Sequence, residues 1–309
     1  MVPHDREQPF WKIADNSNGM EKRIQSAHVY PARGDLTERT VTILQATFAP
    51  KELEVVDIHK DSELLKALER KATPCGLKYC ATGFKAAELF QIPGFSNADF
   101  IGGGIYFSAI PRTDAMASFN LETPQGAGFV FYNPKQNGGA VLSHDVDRFT
   151  MGGYLTFAHS GKANLLRKKE FHVNEEEKAF CSDTLCEPLN QYRLVVQSNL
   201  VLVADGIEDQ NNDKVLAARA ALSADANGYI SYVIAYEPNQ NTLGRGVTLK
   251  EFGDLLVELG SQFAVNLDGG PSVQMALKGI NKAPPVDAVK RNPKEKANPM
   301  PQFFVVRKN

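Results

Sequence analysis

Short runs of β-branched and aromatic residues, separated by glycines and polar turn residues, recur along most of this chain of 309 residues. Such runs follow one another closely between residues 127 and 166, and they return at 192–203 and 215–236. Runs of this kind are typical of antiparallel strands. Strands and helices do not alternate regularly, which argues against a doubly wound nucleotide-binding fold. We therefore predict an α+β fold, with a mixed, mostly antiparallel sheet and a few packed helices.

Local signals predict several individual elements. Two β-rich runs at 40–48 and 53–58 flank a short turn sequence and predict a hairpin. Capping residues precede apolar residues at helical spacing after Asp61 and after Thr248, so a helix is expected at each place. An Asn-Gly pair at 227–228 predicts a tight hairpin turn.

Two segments differ in composition from the rest of the chain. Residues 1–39 have mixed polarity with scattered proline and glycine, and we interpret them as an N-terminal extended arm or a poorly regular first strand. Residues 167–188 are polar and charge-rich without a clear period, which indicates an inserted loop. The length allows one large domain with insertions or two modest domains.

Charge and hydropathy exclude two classes of partner. There are 34 Lys and Arg against 36 Asp and Glu, and we find no local basic patch, so nucleic-acid binding is not expected. No apolar run approaches the length of a membrane span. The first eight residues lack the basic start and apolar core of a secretory signal, so the chain is expected to be cytosolic or a mature form whose signal was removed.

Four cysteines form two local pairs, Cys75/Cys80 and Cys181/Cys186. Their even number and short spacing suit two disulfides, and hence an oxidising compartment. The alternatives are four buried free thiols, or two pairs that converge on one zinc without a supporting histidine. A calcium loop is suggested at 209–213, but Lys214 and Ala220 stand where an EF-hand needs Gly and Glu. We predict no metal and no cofactor.

The segment 263–274 is the most informative for chemistry. An apolar strand ends at Asp268, two glycines permit a sharp turn, and Pro271 stands where a new helix would begin. Asp268 would then lie at a strand tip and Ser272 at a helix start, an arrangement that suits an anion. The alternative is that Asp268 only caps the helix. A serine hydrolase is not favoured, because Gln274 replaces the last glycine of the G-x-S-x-G pattern.

Two further features stand out. Three consecutive glycines at 102–104 lie between apolar residues, which indicates either positive φ angles or a close approach to the backbone. Arg219 lies among four alanines, which would leave room for a ligand above it. The alternative for Arg219 is a strand arginine that a neighbouring carboxylate satisfies.

In spacing and order, these strings resemble the phosphodiester glycosidase family: Asn-Leu-Asp-Gly-Gly-Pro-Ser at 266–272, Ala-Arg at 218–219, the glycine corner at 102–104, and Gln-Ser at 197–198 with Asp-Gly at 205–206. The resemblance implies a family domain over 40–309 with an insertion near 167–188. It also implies hydrolysis of a sugar 1-phosphodiester to free sugar and a phosphomonoester. The implied substrate is a carbohydrate or phosphosugar, or an exopolysaccharide with such linkages. The usual export of the family favours a secreted or periplasmic location.

The resemblance also implies roles for individual residues. Arg219 would neutralise the phosphate leaving group, and Asp268 would act as the nucleophile or as the base for water. The expected substrate-binding residues are Asn266, Ser198, Ser272, Gly103, Gly104, Gly269 and Gly270. Two positions depart from the family pattern, since Gly102 replaces an asparagine and Ala220 a threonine. Both departures remove polar side chains, and they favour the alternative of a non-catalytic glycan-binding or phosphosugar-binding module.

Overall fold

A computed structural model describes most of the chain. The described residues are 11–15, 22–29, 39–71, 73–75, 78–80, 83–104, 107–108, 121–122, 125–126, 129–135, 140–144, 152–174, 178–209, 211, 214–236, 246–277, 286–287 and 300–307.

Strands predominate among the described elements. The helices are α1 (Ser62–Lys71), α2 (Ala86–Leu89) and α3 (Leu249–Glu258). The strands are β1 (Trp11–Asp15), β2 (Lys22–Val29), β3 (Arg39–Phe48), β4 (Leu53–Asp57), β5 (Thr73–Cys75), β6 (Lys78–Cys80), β7 (Ala98–Gly103), β8 (Phe107–Ser108), β9 (Leu121–Glu122), β10 (Gln125–Gly126), β11 (Phe129–Tyr132), β12 (Ala140–His144), β13 (Gly153–Ala158), β14 (Ala163–Arg167), β15 (His172–Asn174), β16 (Ala179–Cys181), β17 (Cys186–Pro188), β18 (Tyr192–Ser198), β19 (Val201–Ala204), β20 (Ile207–Glu208), β21 (Arg219–Asp225), β22 (Ile230–Tyr236), β23 (Ser261–Asn266), β24 (Met275–Leu277), β25 (Val286–Asp287) and β26 (Gln302–Arg307).

Three large antiparallel sheets organise the fold. The main sheet has eight strands in the order β1-β2-β3-β22-β21-β23-β19-β20. The second sheet has the order β25-β24-β7-β26-β4, and the third sheet has the order β12-β11-β18-β13-β14. Smaller sheets are β15-β16-β17, β5-β6-β9 and β10-β8. Mostly antiparallel sheets with few helices agree with the predicted fold class in its broad form.

The largest core lies where one face of the main sheet meets the second and third sheets. Leu222 and Tyr232 of the main sheet are buried there together with Phe100 of the second sheet and Leu155 of the third. The opposite face of the main sheet is covered by α3, and the outer face of the second sheet by α1 and α2. Each of the three large sheets thus buries apolar side chains on both faces.

The two predicted helix starts are confirmed. Asp61 Oδ1 accepts the backbone N–H groups of Glu63 and Leu64 at 2.9 and 3.0 Å, and this carboxylate caps α1. Thr248 and Glu251 form the predicted capping box of α3, with hydrogen bonds of 2.8 and 3.1 Å. In the part of the chain that the structure describes, no helix has the length and hydrophobicity to span a bilayer.

The predicted hairpin between residues 40–48 and 53–58 is wrong. β3 belongs to the main sheet and β4 to the second, so the two strands do not pair with each other. The 3₁₀ turn Pro50–Glu52 carries the chain from one sheet to the other. Leu44 and Leu53 still share the core between the sheets, because the alternation of apolar residues suits either arrangement.

Residues 167–188 contain regular structure where we expected an inserted loop. They include β15, β16 and β17, which form a small antiparallel sheet. A disulfide joins Cys181 and Cys186 across β16 and β17, so the prediction for this pair is confirmed. The ring of Phe180 is fully buried against the third sheet, where it contacts Tyr154 at a centroid distance of 4.9 Å. The side chains of Cys75 and Cys80 lie outside the described residues, so their pairing stays a prediction.

Within the predicted N-terminal arm, the structure places two strands. β1 pairs with β2, and β2 pairs along its whole length with β3. Residues 11–15 and 22–29 therefore extend the edge of the main sheet.

One arginine joins β18, the central strand of the third sheet, to two other backbone segments. Arg193 donates from its guanidinium to the carbonyls of Pro50, Lys51 and Pro134 at 2.8 to 3.0 Å. We expect Arg193→Ala to lower the free energy of unfolding by about 1–3 kcal/mol, as measured by urea denaturation, because charged donors contribute this much to a native hydrogen-bond network. Arg193→Lys should recover little of the loss, since one ammonium lacks the fork geometry. Unchanged stability in Arg193→Ala would contradict this role.

Candidate active site

The two predicted catalytic residues, Arg219 and Asp268, lie at neighbouring ends of two strands of the main sheet. β21 and β23 are antiparallel neighbours in the main sheet. Their ladder continues one residue beyond β23, where the N–H of Leu267 donates to the carbonyl of Ala220 at 2.8 Å. Continued by one pair, this register would set Asp268 opposite Arg219. The next backbone bond departs from the register, because the N–H of Gly270, and not that of Gly269, donates to the carbonyl of Ala218. Arg219 and Asp268 therefore lie at neighbouring ends of β21 and β23.

The loop that carries Asp268 is held against the start of β21. The N–H of Gly270 donates to the carbonyl of Ala218 at 2.9 Å, and the N–H of Gly269 donates to Asp268 Oδ1 at 2.9 Å. Gly270 has a φ of +58°, a left-handed conformation that glycine adopts without steric cost. Asp268 is partly buried.

The helix expected after Pro271 does not form. Gly270–Ser272 is a single 3₁₀ turn, and the chain enters strand β24 three residues later. Met275 is fully buried and pairs with Gly102 of β7, so the second sheet takes up this segment. The expected anion site at a helix start is therefore wrong. Ser272 is 5% exposed, which places its side chain within the protein.

Arg219 lies under the segment that leads into α3. Its side chain is 9% exposed, its Nε donates to the carbonyl of Val247 at 3.3 Å, and its Nη2 donates to that of Val215 at 2.7 Å. Both contacts are backbone carbonyls, and they orient the guanidinium at the sheet end. The flanking residues Ala218 and Ala220 are buried in the core between the sheets. Their small side chains therefore do not open space for a ligand on that face of the sheet.

Ser198 and Asn266 are brought to the same strand end, but both are buried. The Ser198 hydroxyl is within hydrogen-bond distance of two carbonyls, those of Asn266 at 2.5 Å and of Leu200 at 3.2 Å. The Asn266 side-chain amide donates to the carbonyl of Leu267 at 2.7 Å. These side chains join the end of β18 to the end of β23. They support the strand that leads to Asp268, and their role in substrate binding stays a prediction.

The glycine corner lies beside the Asp268 loop, with its amides already engaged. The N–H of Gly103 donates to the carbonyl of Gln274, and that of Gly104 donates to the carbonyl of Gln302, both at 3.0 Å. These two amides are therefore not available to a substrate oxyanion, which corrects the predicted role. The expectation of close backbone approach is confirmed, since a Cβ on Gly104 would lie 2.7 Å from the Gln302 carbonyl oxygen.

Sequence analysis missed Tyr232, which links the glycine corner to the Asp268 loop. Its hydroxyl lies 3.0 Å from the carbonyl of Gly103 and 3.2 Å from that of Gln274, and its side chain is fully buried. Burial raises the pKa of the Tyr232 hydroxyl far above its usual value, and the nearby charge of Asp268 raises it further. The phenol therefore stays protonated and acts as a donor. No sequence signal distinguishes it, because a tyrosine in an alternating strand is ordinary.

Removal of this hydroxyl is expected to weaken the fold locally. Tyr232→Phe should lower the free energy of unfolding by about 1–2 kcal/mol, because the buried carbonyl of Gly103 loses a donor. Tyr229→Phe is the matched control, since Tyr229 is 50% exposed and its change should leave stability unaltered. Urea denaturation followed by circular dichroism measures both variants. Equal stability of Tyr232→Phe and the wild type would show that the hydroxyl does not tie the two segments together.

The fold and the site together define a class of protein. It is an antiparallel-sheet protein with an arginine and an aspartate at neighbouring strand ends, and buried polar side chains support those ends. Over the described ranges, no group of three His, Cys, Asp or Glu side chains is placed to hold a metal ion. The family model for phosphodiester glycosidases matches residues 124–307, more than half of the chain. The chain therefore belongs to the phosphodiester glycosidase family.

One solved structure shares the fold at low sequence identity, and another aligns more weakly. The zebrafish N-acetylglucosamine-1-phosphodiester alpha-N-acetylglucosaminidase catalytic domain, auto-inhibited by its pro-peptide, aligns with a TM-score of 0.59 at 14% identity, over 97% of this chain and 88% of that one. A hypothetical protein from Synechocystis aligns at 15% identity with a TM-score of 0.44, over 97% of this chain and 64% of that one. No curated protein sequence matches significantly. The zebrafish likeness shows a common fold.

Proposed function

We propose that this protein is a hydrolase of α-linked sugar 1-phosphodiesters. Water adds to the anomeric carbon, the bond from that carbon to the phosphate oxygen breaks, and the products are free sugar and a phosphomonoester. The proposal rests on the positions of Asp268 and Arg219 at neighbouring ends of β23 and β21, in a chain that belongs to the phosphodiester glycosidase family.

Arg219 acts on the leaving group. A phosphomonoester has a second pKa of roughly 6, so it leaves as an anion and needs charge neutralisation more than it needs a proton. A guanidinium that is already oriented supplies this without reorganisation during the reaction. The contacts from Arg219 to the carbonyls of Val215 and Val247 provide that orientation.

Asp268 acts at the anomeric carbon. The transition state of glycoside hydrolysis has oxocarbenium character, which a nearby carboxylate stabilises as nucleophile or as base for water. Asp268 is partly exposed, and the N–H of Gly269 holds one of its oxygens. The sugar lies against Gly269 and Gly270, which are also partly exposed and present no side chain to obstruct it.

A second candidate is a non-catalytic module that binds a glycan or phosphosugar at the same place. It is favoured by Gly102, because a Cβ there would lie 2.8 Å from the Tyr232 ring and 2.7 Å from that of Phe100. Aromatic rings thus fill the space into which the family's asparagine would project. Ala220 is likewise 1% exposed, within the core.

A panel of sugar 1-phosphodiesters separates the two candidates. The purified chain is incubated with each compound, including the α-linked N-acetylglucosamine diester, and free sugar is followed by NMR. Turnover supports the hydrolase, and the first anomer released shows retention or inversion. No turnover across the panel, together with a rise in thermal stability on addition of sugar phosphates, supports the binding module.

We also propose an oxidising compartment, either secreted or periplasmic. The Cys181–Cys186 disulfide supports this location. Thiol titration of the purified, denatured chain without reductant should find no free thiol among its four cysteines. Two free thiols would limit the disulfide chemistry to the Cys181–Cys186 pair, and four would contradict the proposed compartment.

A further inference from the structure

A cavity of about 630 Å³ lies at one end of the main sheet, and Arg219 and Asp268 lie at the other end. Two turns form it, the β13–β14 turn of the third sheet and the β21–β22 turn of the main sheet, with the start of β23 alongside. Arg219 and Asp225 lie at the two ends of β21, six residue steps apart, which is about 20 Å at the usual rise of an antiparallel strand. The cavity is therefore separate from the candidate active site.

The two turns are in direct contact, so the cavity is a built feature of the fold. A Cβ added to Gly228 would lie 2.2 Å from the carbonyl oxygen of Gly161, and Gly228 has a φ of +83°. Asp225 Oδ1 accepts the N–H groups of Asn227 and Tyr229 at 2.8 and 2.9 Å, which fixes the shape of the second turn. The walls are thus held by close backbone packing and by hydrogen bonds within the turn.

The chemistry of the lining is that of an uncharged polar ligand. Among the lining residues, three carry side-chain amides and one a hydroxyl: Asn164, Asn227, Gln262 and Ser160. Amides offer a donor and an acceptor side by side, which matches the vicinal hydroxyls of a sugar. The partly buried ring of Phe263 adds an apolar surface against which a sugar ring can pack.

The charges of the lining do not suit an anion or a metal ion. Lys162 is the single cation among the lining residues, and it is exposed. The single carboxylate is that of Asp225, whose Oδ1 already holds two backbone N–H groups of its own turn. A phosphate group is usually bound by several cations or backbone donors, and a hard cation by several oxygen ligands.

We propose that this cavity binds a neutral saccharide segment. Its distance from Asp268 means that it would hold a part of a glycan chain remote from the bond to be cleaved. Binding in the cavity does not depend on the hydrolase proposal, because none of its lining residues belongs to the candidate active site.

The test is a titration of the full chain with maltopentaose, and separately with tetra-N-acetylchitotetraose, followed by calorimetry and ligand-observed NMR. Saturable binding to at least one of them is expected. Asn164→Ala combined with Gln262→Ala should weaken it by at least about tenfold, because each lost hydrogen bond contributes about 1 kcal/mol. Gln91→Ala is the matched control, an exposed amide on another part of the molecule that should leave binding unchanged.

A second variant tests the cavity without removing an amide. Ala226 lies exposed on its lining, so Ala226→Trp should fill the entrance and abolish binding. Thermal unfolding confirms that each variant is folded. No saturable binding of either oligosaccharide, or binding that survives both variants, would overturn the proposal. Binding that persists in Asp268→Asn shows that the cavity works independently of hydrolysis, whereas loss of binding in that variant would assign the ligand to the active site.

Discussion

Replacement of Asp268 by Asn is expected to lower kcat/KM for a sugar 1-phosphodiester by roughly 10²–10⁴-fold, the range for a lost acid–base or nucleophilic group. The amide has nearly the same shape, and its oxygen can still accept the N–H of Gly269 as Asp268 Oδ1 does. It cannot attack the anomeric carbon or take a proton from water. The loss should therefore be one of chemistry, with little change in the fold. Release of free sugar, followed by NMR, measures it.

The control for this change is Asp183→Asn, which makes the same substitution at an exposed aspartate in the 182–185 turn. That variant should hydrolyse the substrate at the wild-type rate. Thermal unfolding of both variants tests whether Asp268→Asn remains folded. Wild-type turnover by a folded Asp268→Asn protein would remove this carboxylate from the mechanism.

Arg219→Ala is expected to discriminate between leaving groups. With a phosphate leaving group, kcat/KM should fall by about 10²–10³-fold, because a preorganised charge no longer meets the developing anion. An activated phenol leaves with a smaller demand for a cation, so a nitrophenyl glycoside of the same sugar should lose much less. The ratio of the two losses, measured on the same preparation, is the quantity that reports the role of Arg219.

Arg219 also has structural contacts, so its structural role and its chemical role need separate variants. Its guanidinium holds the carbonyls of Val215 and Val247, so truncation will lower stability as well as activity. Arg219→Lys retains the positive charge and loses the fork geometry. It should hydrolyse the phosphodiester faster than Arg219→Ala does. Equal losses on both substrates in Arg219→Ala, with no recovery in Arg219→Lys, would make the arginine structural.

Elements that depend on neighbouring residues were predictable from the sequence. The carboxylate of Asp61 satisfies N–H groups two and three residues later, and the capping box of Thr248 acts over three residues. The Asn-Gly turn at 227–228 likewise depends on a local φ of +83° at Gly228. In each case the energy that selects the structure comes from groups within one turn of the chain.

Predictions failed where a segment could pair with more than one part of the chain. β3 and β4 look like the two arms of a hairpin, but they join different sheets. The residues after Pro271 have a helix-compatible start, but β24 finds a partner in β7 and buries Met275. Local sequence supports both outcomes in each case. The larger burial of apolar surface between sheets decides, and it depends on residues far away in the chain.

The sequence by itself determined the strand-rich class, the helix caps, the local spacing of Cys181 and Cys186, and the motifs that contain Asp268 and Arg219. Only the tertiary structure decided that Cys181 and Cys186 form a disulfide, that Arg219 and Asp268 lie at neighbouring strand ends, that the amides of the glycine corner are engaged, and that Tyr232 joins that corner to the Asp268 loop. The physical reason is distance along the chain. Caps, turns and short disulfides are selected by neighbours, whereas sheet register and buried hydrogen bonds are selected by which distant strands together exclude the most water.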